Sequence, residues 1–419
     1  MTRVAIVGGG LGGLAAAAFL HQAGVAAVVY EQARQLREVG AGIMVPPNAA
    51  RMLRRLGVLG ALSERAVRLD IGWEFRSWRD GTVLSAQDLT EAARTGRLYG
   101  EHTYTVHRAD LLDVVRGAVP DDAIILGKRL DGFTESADGV TLSFADGTTA
   151  GADVLIGADG IHSVVRAALT GAEPAPPAHS GMCAFRALVP AAAAPAYARR
   201  PAQVVWLGPG HHVVHYPVSA GEFVNLVAIA PAGDYVTESW TATATIDEFL
   251  AEFEGWDDRL TSLIKAASTP GRWALLIRQP LPRWTRGPVT LLGDAAHPML
   301  PFLGQGAAQA FEDAAVLADC LASDLDDPSF ALRRYEAGRI EHASRVQEGS
   351  HARADFNHLP DGPEQRARDS SLRAADPLAA NAWIYAHDPL SADSGAGPAL
   401  LGLPREAVTW TRSQASSPW

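Results

Sequence analysis

A glycine-rich turn near the start of the chain has the residue spacing of a phosphate-binding loop. Gly8, Gly10 and Gly13 follow a short apolar stretch that ends at Val7, and apolar residues at helical spacing continue until Gly24. In such a turn the first glycine permits the tight bend, the second lets a pyrophosphate approach the backbone, and the third lets the helix pack closely on the sheet. The amides at the start of that helix then face the phosphate charge. The spacing therefore predicts a dinucleotide site.

An acidic residue completes the same unit. Residues 25–30 have the β-branched composition of a second strand, and Glu31 stands at its end, where a carboxylate can accept hydrogen bonds from a ribose diol. The glycine pattern alone is weak evidence, but here a strand, a helix, a second strand and an acid follow one another in register. The unit predicts a dinucleotide and leaves open which one.

Two further acids follow apolar strands later in the chain. Asp159 comes after the apolar residues 152–157, and Asp294 comes after the apolar residues 289–292. The carboxyl ends of parallel strands are the ligand-binding edge of an α/β sheet, so both acids are expected there. Asp294 could hydrogen-bond a polyol chain, and the N-terminus of the helix predicted over residues 304–321 could stabilise negative charge beside it. Asp159 could alternatively cap the helix that follows it.

The stretch 210–217 contains a cluster of histidines in a predicted strand. Strand alternation puts His211 and His215 on one face and His212 and Tyr216 on the other. A histidine is a suitable general base at neutral pH. No cysteine, aspartate or glutamate accompanies these histidines at the spacing of zinc ligands, so no metal is expected. Solvated strand histidines are the structural alternative.

The composition limits the class of protein. The chain has 419 residues, 47% of them hydrophobic and 20% charged, which is typical of a globular enzyme with two domains. A net charge of −11 without any cluster of lysines and arginines argues against nucleic acid and an anionic membrane as partners. The two cysteines suit a reducing compartment, and no apolar run is long enough for a transmembrane helix. We therefore expect a cytoplasmic protein.

The predicted elements indicate an α/β fold with a Rossmann-like cofactor domain, an inserted, mostly antiparallel β-sheet substrate domain and a helical C-terminal segment. Alternating apolar residues in 184–189, 203–207, 212–218 and 223–230 predict the inserted sheet. The expected divisions are 1–72, 100–175 and 281–345 for the cofactor domain, 73–99 for an excursion into the substrate layer, 176–280 for the substrate sheet, and 346–419 for the C-terminal segment.

Taken together, these motifs resemble those of the group A flavoprotein monooxygenases, which have the para-hydroxybenzoate hydroxylase-like fold. The N-terminal GxGxxG, the Asp-Gly at 159–160 and the Gly-Asp at 293–294 are spaced as in that family, over about residues 1–350. Four shorter stretches are similar to the branch that holds salicylate hydroxylase, 6-hydroxynicotinate 3-monooxygenase and 3-hydroxybenzoate 6-hydroxylase. They are Gly-Ala-Gly-Ile at 40–43, Pro-Asn at 47–48, His-Arg-Ala-Asp-Leu at 107–111 and Pro-Phe-Leu-Gly-Gln-Gly at 301–306.

The resemblance implies an FAD-dependent aromatic-ring monooxygenase with FAD bound without a covalent link. NADH or NADPH would be a transient co-substrate, and a flavin hydroperoxide formed from O2 would hydroxylate a small phenolic or heteroaromatic acid, most like salicylate hydroxylase. The implied partners are these small molecules, with neither nucleic acid nor membrane, and the protein would be a monomer or a homodimer.

The resemblance also implies the cofactor contacts. Arg108 would reach the phosphate or ribityl region of FAD, Asp294 the ribityl hydroxyls, and the amides of Gly306 and Ala307 the pyrimidine ring. Asp159 would tie the pyrophosphate region to the transient NAD(P)H site. Arg108 could alternatively form a surface ion pair. The full set of expected contacts is Gly8, Gly10, Leu11, Gly13, Glu31, Arg108, Leu130, Asp159, Asp294, Gly306 and Ala307.

The resemblance places the catalytic residues on the histidine strand, where a histidine or tyrosine faces the flavin. The candidates are His211, His212, His215 and Tyr216, and which face is turned to the flavin stays open. Met44, Pro301 and Phe302 are expected at the substrate pocket. Met44 stands where the 6-hydroxynicotinate enzymes have a histidine, which disfavours that substrate. Phe302 could alternatively be a buried hydrophobic residue under the flavin.

Other functions stay open beside this one. Epoxidation or Baeyer–Villiger oxidation of a natural product would use the same motifs, and a non-catalytic FAD-fold binding protein would keep only part of them. An NAD-dependent dehydrogenase is disfavoured because Asp159 and Asp294 follow two later strands. A flavin-dependent halogenase is disfavoured because its W-x-W-x-I-P pattern is absent from the sequence.

Overall fold

A computed structural model describes residues 2–36, 41–90, 98–136, 139–171, 176–238 and 242–391. Gly40, the first residue of one of the similar stretches, and residues 392–419 of the C-terminal segment lie outside the described residues. Across the described ranges, no helix is both long and apolar enough to cross a membrane.

The order of strands and helices along the chain is that of an α/β domain with an inserted sheet. In the described part of the chain the strands are β1 (Val4–Val7), β2 (Ala27–Glu31), β3 (Gly42–Val45), β4 (Val67–Arg68), β5 (Ile71–Ser77), β6 (Val83–Asp88), β7 (Tyr104–His107), β8 (Ile124–Leu126), β9 (Leu130–Ser136), β10 (Gly139–Phe144), β11 (Thr149–Ala152), β12 (Val154–Gly157), β13 (Ala178–Pro190), β14 (Ala202–Gly208), β15 (His211–Val218), β16 (Phe223–Pro231), β17 (Gly271–Ile277), β18 (Thr285–Arg286) and β19 (Val289–Leu291). The helices are α1 (Leu11–Gln22), α2 (Pro47–Arg55), α3 (Leu59–Arg65), α4 (Arg108–Arg116), α5 (Val164–Thr170), α6 (Ile246–Ala251), α7 (Asp258–Lys265), α8 (Gly306–Ser323), α9 (Pro328–Asn357), α10 (Pro363–Ala374) and α11 (Ala382–Tyr385).

A six-stranded sheet forms the N-terminal layer, in the order β18-β19-β12-β1-β2-β8. All neighbouring strands are parallel except the pair β18–β19. Strands β1, β12 and β19 are buried along their whole length, as expected for a parallel sheet covered on both faces. Helix α1 packs against α8 through small residues, and a Cβ on Gly12 would lie 3.3 Å from the Cβ of Ala310. This close packing brings the N-termini of both helices to the same edge of the sheet.

A seven-stranded sheet forms the second layer, in the order β17-β13-β16-β15-β14-β5-β6. Its pairs are antiparallel except β14–β5. Strands β5 and β6 reach this sheet from the segment before β7, and β13 to β17 follow β12. One face packs on α6 and α7 around Phe249, Phe253 and Leu260. The predicted α/β fold with an inserted, mostly antiparallel sheet is confirmed.

Two small antiparallel sheets complete the strands. One has the order β11-β10-β9 and the other the order β3-β7-β4. In the second, β3 carries Met44, and the amide of Gly42 donates to the side-chain oxygen of Asn225 on β16 (2.7 Å). This hydrogen bond joins the small sheet to the seven-stranded one.

Helix α9 is the longest helix of the described residues and contacts both large sheets. The Tyr335 hydroxyl donates to the Leu291 carbonyl on β19 (2.9 Å), and further along the helix the Gln347 amide donates to the Pro298 carbonyl (2.8 Å). The helix runs without a break through residue 345, where one expected domain division falls, and ends at Asn357 before the turn that contains Pro360. The domain divisions stay a prediction, whereas the helical character of the C-terminal segment extends to Tyr385.

Candidate functional site

The glycine turn between β1 and α1 has two glycines that the fold requires and one that faces open space. Gly8 has a φ of +106°, and a Cβ there would lie 2.3 Å from the Ala158 carbonyl oxygen. A Cβ on Gly13 would lie 1.9 Å from the carbonyl oxygen of Gly8. A Cβ on Gly10 would meet no atom within 4 Å. The open side of Gly10 lies at the start of α1, next to Leu11, and fits the approach of a pyrophosphate to the backbone.

Glu31 at the end of β2 is held beside this turn. Its carboxylate accepts hydrogen bonds from the amides of Gly9 (2.6 Å) and Ala33 (2.7 Å). Its carbonyl accepts from the amide of Lys128 (2.8 Å), two residues before the buried Leu130 that begins β9. The structure therefore brings Glu31 and the start of β9 to the same edge as the glycine turn.

Asp159 follows β12 and caps helix α5. Its carboxylate accepts hydrogen bonds from the Ser163 hydroxyl and from the amides of Val164 (2.7 Å) and Val165 (3.3 Å). Burial raises the pKa of Asp159, and these hydrogen bonds oppose the rise. The capping role considered from the sequence is thus present, and the predicted NAD(P)H-related role stays a prediction.

Asp294 and the N-terminus of α8 face each other. Asp294 is exposed in the short turn Gly293–Ala295, and a Cβ on Gly306 would lie 3.9 Å from its Oδ1. No side chain caps the first amides of α8, which include those of Gly306 and Ala307. A carboxylate and free helix amides on one edge are suited to a ligand with both hydroxyl donors and carbonyl acceptors.

A buried ion network lies behind this turn and this helix start. Arg339 on α9 donates to Asp313 (2.8 Å) and Glu312 (2.7 Å) on α8, and all three side chains are fully buried. The other oxygen of Asp313 lies 2.6 Å from Nε2 of His297 and accepts from the amide of Gly293 (3.1 Å). The network therefore fixes the turn that carries Asp294. Its signal in the sequence is the acidic pair 312–313 inside an otherwise apolar helix, which the sequence analysis missed.

The second arm of the network holds the start of α8. Asn48 on α2 donates to Glu312 (2.7 Å) and to the side-chain oxygen of Gln305 (3.0 Å), the residue before Gly306. Burial alone would raise the pKa of Glu312, but Arg339 and His387 bring that pKa down to about 2. Both acids are therefore charged at neutral pH.

The same region has a group of possible metal donors. One donor atom each of Glu312, His342 and His387 lies within 4.8 Å of the others. The Glu312 oxygen nearest His387, however, also accepts from the Arg339 guanidinium (2.7 Å), which competes with a cation for that carboxylate. The prediction that the protein binds no metal stays a prediction.

Arg108 begins helix α4 at the end of β7. Its amide donates to the Ala41 carbonyl (2.9 Å), and the helix is capped by the His107 side chain, which accepts from the Ala109 amide (3.3 Å). These bonds place Arg108 beside the segment that leads into β3, and its predicted cofactor contact stays a prediction.

The histidine strand β15 presents two different faces. His211 lies 3.3 Å from a Glu252 oxygen, and its ring packs on Phe253. His215 is fully buried with its ring 5.6 Å from that of Tyr197, and burial lowers its pKa to about 3. Both histidines lie on the face that packs against α6 and α7, away from Met44 and the turn 301–303.

The other face of β15 carries His212 and Tyr216. The His212 ring meets the Phe302 ring edge to face, with the ring centres 5.0 Å apart, and its Nδ1 shares a hydrogen bond with Nε2 of His358 (2.6 Å). Tyr216 lies so close to Gly42 that a Cβ on that glycine would come within 2.6 Å of the tyrosine ring. Burial lowers the pKa of His212 well below the ordinary value, and raises the pKa of Tyr216.

Of the predicted pocket residues, the structure gathers Met44 and Phe302 near this second face. Met44 packs in one apolar cluster with Trp73, Val205 and, at its edge, Val214 of β15. Phe302 belongs to the neighbouring cluster, and Pro301 is exposed at the start of its turn. His358 was missed by the sequence analysis because it lies far along the chain in a turn without a motif.

The chain is similar to known proteins along most of its length. Residues 1–350 match the family described as FAD binding domain. The chain is 44% identical over 384 residues to a 3-amino-4-hydroxybenzoate 2-monooxygenase of Streptomyces platensis, covering 91% of this chain and 95% of that protein. It is 39% identical to a 6-hydroxynicotinate 3-monooxygenase of Pseudomonas fluorescens, covering 83% and 90% of the two. A solved salicylate hydroxylase substrate complex has a TM-score of 0.78 at 30% identity, covering 95% of this chain and 99% of that one.

Proposed function

The chain belongs to the FAD-binding domain family and is an FAD-dependent aromatic-ring monooxygenase, and from this premise we propose that it hydroxylates a small phenolic acid with NAD(P)H and O2. FAD, when bound, would carry two electrons from NAD(P)H to O2, so that one oxygen atom of O2 enters the ring and the other leaves as water. The protein's own part is to bind the acid, orient its ring and remove the phenol proton, because a phenolate reacts far more readily than a phenol.

The residues of the parallel-sheet edge fit FAD. The open space at Gly10 suits the pyrophosphate, and Glu31 beside it suits the adenosine ribose. The exposed carboxylate of Asp294 suits the ribityl hydroxyls, and the uncapped amides of Gly306 and Ala307 suit the pyrimidine carbonyls. These roles are supported by the family and by the geometry of the residues.

The observation that carries the proposal is the hydrogen bond between the buried His212 and the partly exposed His358 beside Phe302. His212 is neutral at neutral pH, since burial and the charges of His358 and Arg353 all lower its pKa. Its Nδ1 is bonded to His358, which leaves Nε2 without a partner among the described residues. A phenol proton could pass to Nε2 while the Nδ1 proton passes to the partly exposed His358.

The curated relatives support an amino-hydroxybenzoate or a related acid as the substrate class. The Streptomyces platensis relative is named for 3-amino-4-hydroxybenzoate, and the Pseudomonas fluorescens relative for 6-hydroxynicotinate. This chain has Met44 where a histidine is expected for the second substrate. The Met44 side chain lies close to Gly304, because a Cβ added to that glycine would be 2.7 Å from the Met44 Cε. We therefore propose a benzoate rather than a pyridine acid.

The test is substrate-stimulated NAD(P)H oxidation with hydroxybenzoates, amino-hydroxybenzoates and hydroxypyridine acids, together with analysis of the product. His212→Ala should lower turnover of the preferred acid by about 10²–10⁴-fold at pH 7 with full FAD content. The loss should shrink as the pH approaches about 10, where a phenol ionises without help.

The matched control is His211→Ala, on the opposite face of the same strand, which should keep turnover near that of the parent. An equal rate for the His212 variant across pH 6–9 would rule out the histidine as the base. Oxidation of NAD(P)H that no aromatic acid stimulates would rule out the proposed substrate class.

A further inference from the structure

Arg353 on α9 lies among aromatic side chains near the second face of β15. Its guanidinium carbon is 5.1 Å from the ring centre of Phe75 on β5 and 4.3 Å from that of Phe356. The side chain is only partly accessible, and burial lowers its pKa to about 10. Among the residues that the structure describes, no carboxylate or carbonyl accepts a hydrogen bond from it. The guanidinium therefore depends on the two aromatic rings and on its partial access to solvent for its stabilisation.

Neighbouring buried arginines show what that compensation is. Arg339, on the same helix, donates to two acids, and Arg368 on α10 pairs with Asp369 (2.7 Å) and donates to the Asn357 carbonyl (3.2 Å). Arg353 is partly withdrawn from water without such partners, which carries a desolvation cost. An anion that binds next to Arg353 would recover this cost.

Arg353 and the proposed base lie at one site. Phe356, whose ring the Arg353 guanidinium covers, lies two residues before His358, the hydrogen-bond partner of His212, and the charge of Arg353 contributes to the lowered pKa of His212. Phe75 lies beside Val205 in the sheet, and Val205 pairs with Val214, two residues from His212. A ring lying against this face would have a cation at one side and a neutral imidazole at another.

We propose that Arg353 binds the carboxylate of the aromatic acid, so that the acid group selects and orients the ring. The inference rests on the proposed hydroxylation of a phenolic acid and names the residue that would recognise the acid. The planar guanidinium can donate two parallel hydrogen bonds to a carboxylate, and it lies over the Phe75 ring, 5.1 Å from the ring centre. Arg353 lies beyond residue 350, where the family match ends.

The test compares an acid with its neutral counterpart. The probes are the acid preferred by the parent protein in the turnover screen and the corresponding primary amide, and binding is measured by titration of the FAD-loaded protein, monitored by flavin absorbance. The parent should bind the acid more tightly. Arg353→Met should weaken binding of the acid by about 10- to 100-fold, the loss expected for hydrogen bonds to a charged group. Binding of the amide should change by less than about threefold.

Two further variants separate the charge from the shape of the side chain. Arg353→Lys should recover part of the affinity for the acid. Arg333→Met is the matched control, because Arg333 lies on the same helix over the Phe330 ring (5.8 Å) but is exposed at its other end, and it should bind both probes like the parent.

The possible results distinguish a failure of the Arg353 inference from a failure of the proposed function. An Arg353→Met protein that still prefers the acid to the amide would overturn the inference while leaving the proposed hydroxylation intact. Equal weakening of both probes would also overturn it, since that result indicates a structural role. A parent protein that binds no acid of the screen would overturn the proposed function and the inference together.

Discussion

Replacing Arg339 by methionine should lower the free energy of unfolding more than any exposed charge replacement. Arg339 is fully buried and donates to Glu312 and Asp313, which are equally buried. Methionine keeps much of the length of the side chain but leaves two carboxylates in the interior without a cation. Breaking a buried ion pair in this way typically costs about 3–5 kcal/mol.

The pKa of Glu312 gives a second estimate of the loss in the free energy of unfolding. Glu312 has a pKa of about 2 in the folded protein against an ordinary value of 4.5, a difference that corresponds to roughly 3 kcal/mol of stability at neutral pH. Because the folded pKa is lowered, this stability is present above about pH 4.5 and is lost as the pH falls toward 2. In the Arg339→Met protein burial dominates and raises the same pKa, so the variant should gain stability as the pH falls from 7 to 5.

The assay is urea unfolding of the FAD-saturated proteins at pH 7 and pH 5, monitored by circular dichroism. The matched control is Arg334→Met on the same helix, which removes an ion pair with Asp324 whose arginine is 44% exposed. Such a surface pair contributes about 0–1 kcal/mol.

The triple variant Arg339→Met, Glu312→Gln, Asp313→Asn should recover part of the loss, because it removes the unpaired charges as well. The reasoning is refuted if Arg339→Met costs no more than Arg334→Met at pH 7. It is also refuted if the difference between parent and variant grows on acidification to pH 5.

Three further results are expected at the cofactor site. Asp294→Ala should reduce FAD occupancy of the purified protein by removing hydrogen bonds worth about 0.5–1.5 kcal/mol each, with its unfolding midpoint in the apo form unchanged; unchanged occupancy would contradict the assignment. Gly13→Ala should destabilise the apoprotein, because the new Cβ would lie 1.9 Å from the Gly8 carbonyl oxygen. Gly10→Ala should leave the stability of the apoprotein unchanged and weaken FAD binding, because a Cβ there meets no atom within 4 Å. Equal stabilities of the two apoprotein variants would refute this distinction. Acid precipitation should release all the flavin to the supernatant, and flavin retained on the pellet would show a covalent link.

The glycine turn was predictable because its physical reason is local. Gly8, Gly10 and Gly13 lie within six residues of one another, and the contact of Gly13 with Gly8 lies within the turn itself, although Gly8 also meets Ala158, far along the chain. The family, the fold class, FAD as cofactor and the aromatic-ring monooxygenase reaction were all expected from such local motifs and are confirmed.

The histidine strand shows where prediction from the sequence ended. Alternation correctly separated His212 and Tyr216 from His211 and His215. Which face meets the pocket depends on Phe302 and on residues of the long helix's end, far along the chain. No local pattern could decide between the two faces.

The buried charges were unpredictable for a related reason. Glu312 and Asp313 have the composition of exposed helix residues, and their burial follows from the position of Arg339 one helix later. Arg353 likewise looks like an ordinary polar residue of a polar helix until Phe75, on a distant strand, is seen beside it. The burial and the partners of these charged side chains depend on contacts between helices and strands that are far apart in the sequence.

Helix α9 has a consequence for how such proteins can change over time. It carries Arg339, which holds the turn of Asp294, and Arg353, the proposed ligand of the carboxylate, fourteen residues and about 21 Å apart along one continuous helix. A one-residue deletion between them would rotate one guanidinium by about 100° around the axis and detach one end, so length variation is forbidden there. Exchange of the whole segment after Ala343 for the corresponding segment of a relative is not forbidden, because it keeps the helical register of both side chains. Recombination between relatives within the distal part of the helix could therefore change which aromatic acid is bound and leave the residues of the proposed FAD site unchanged.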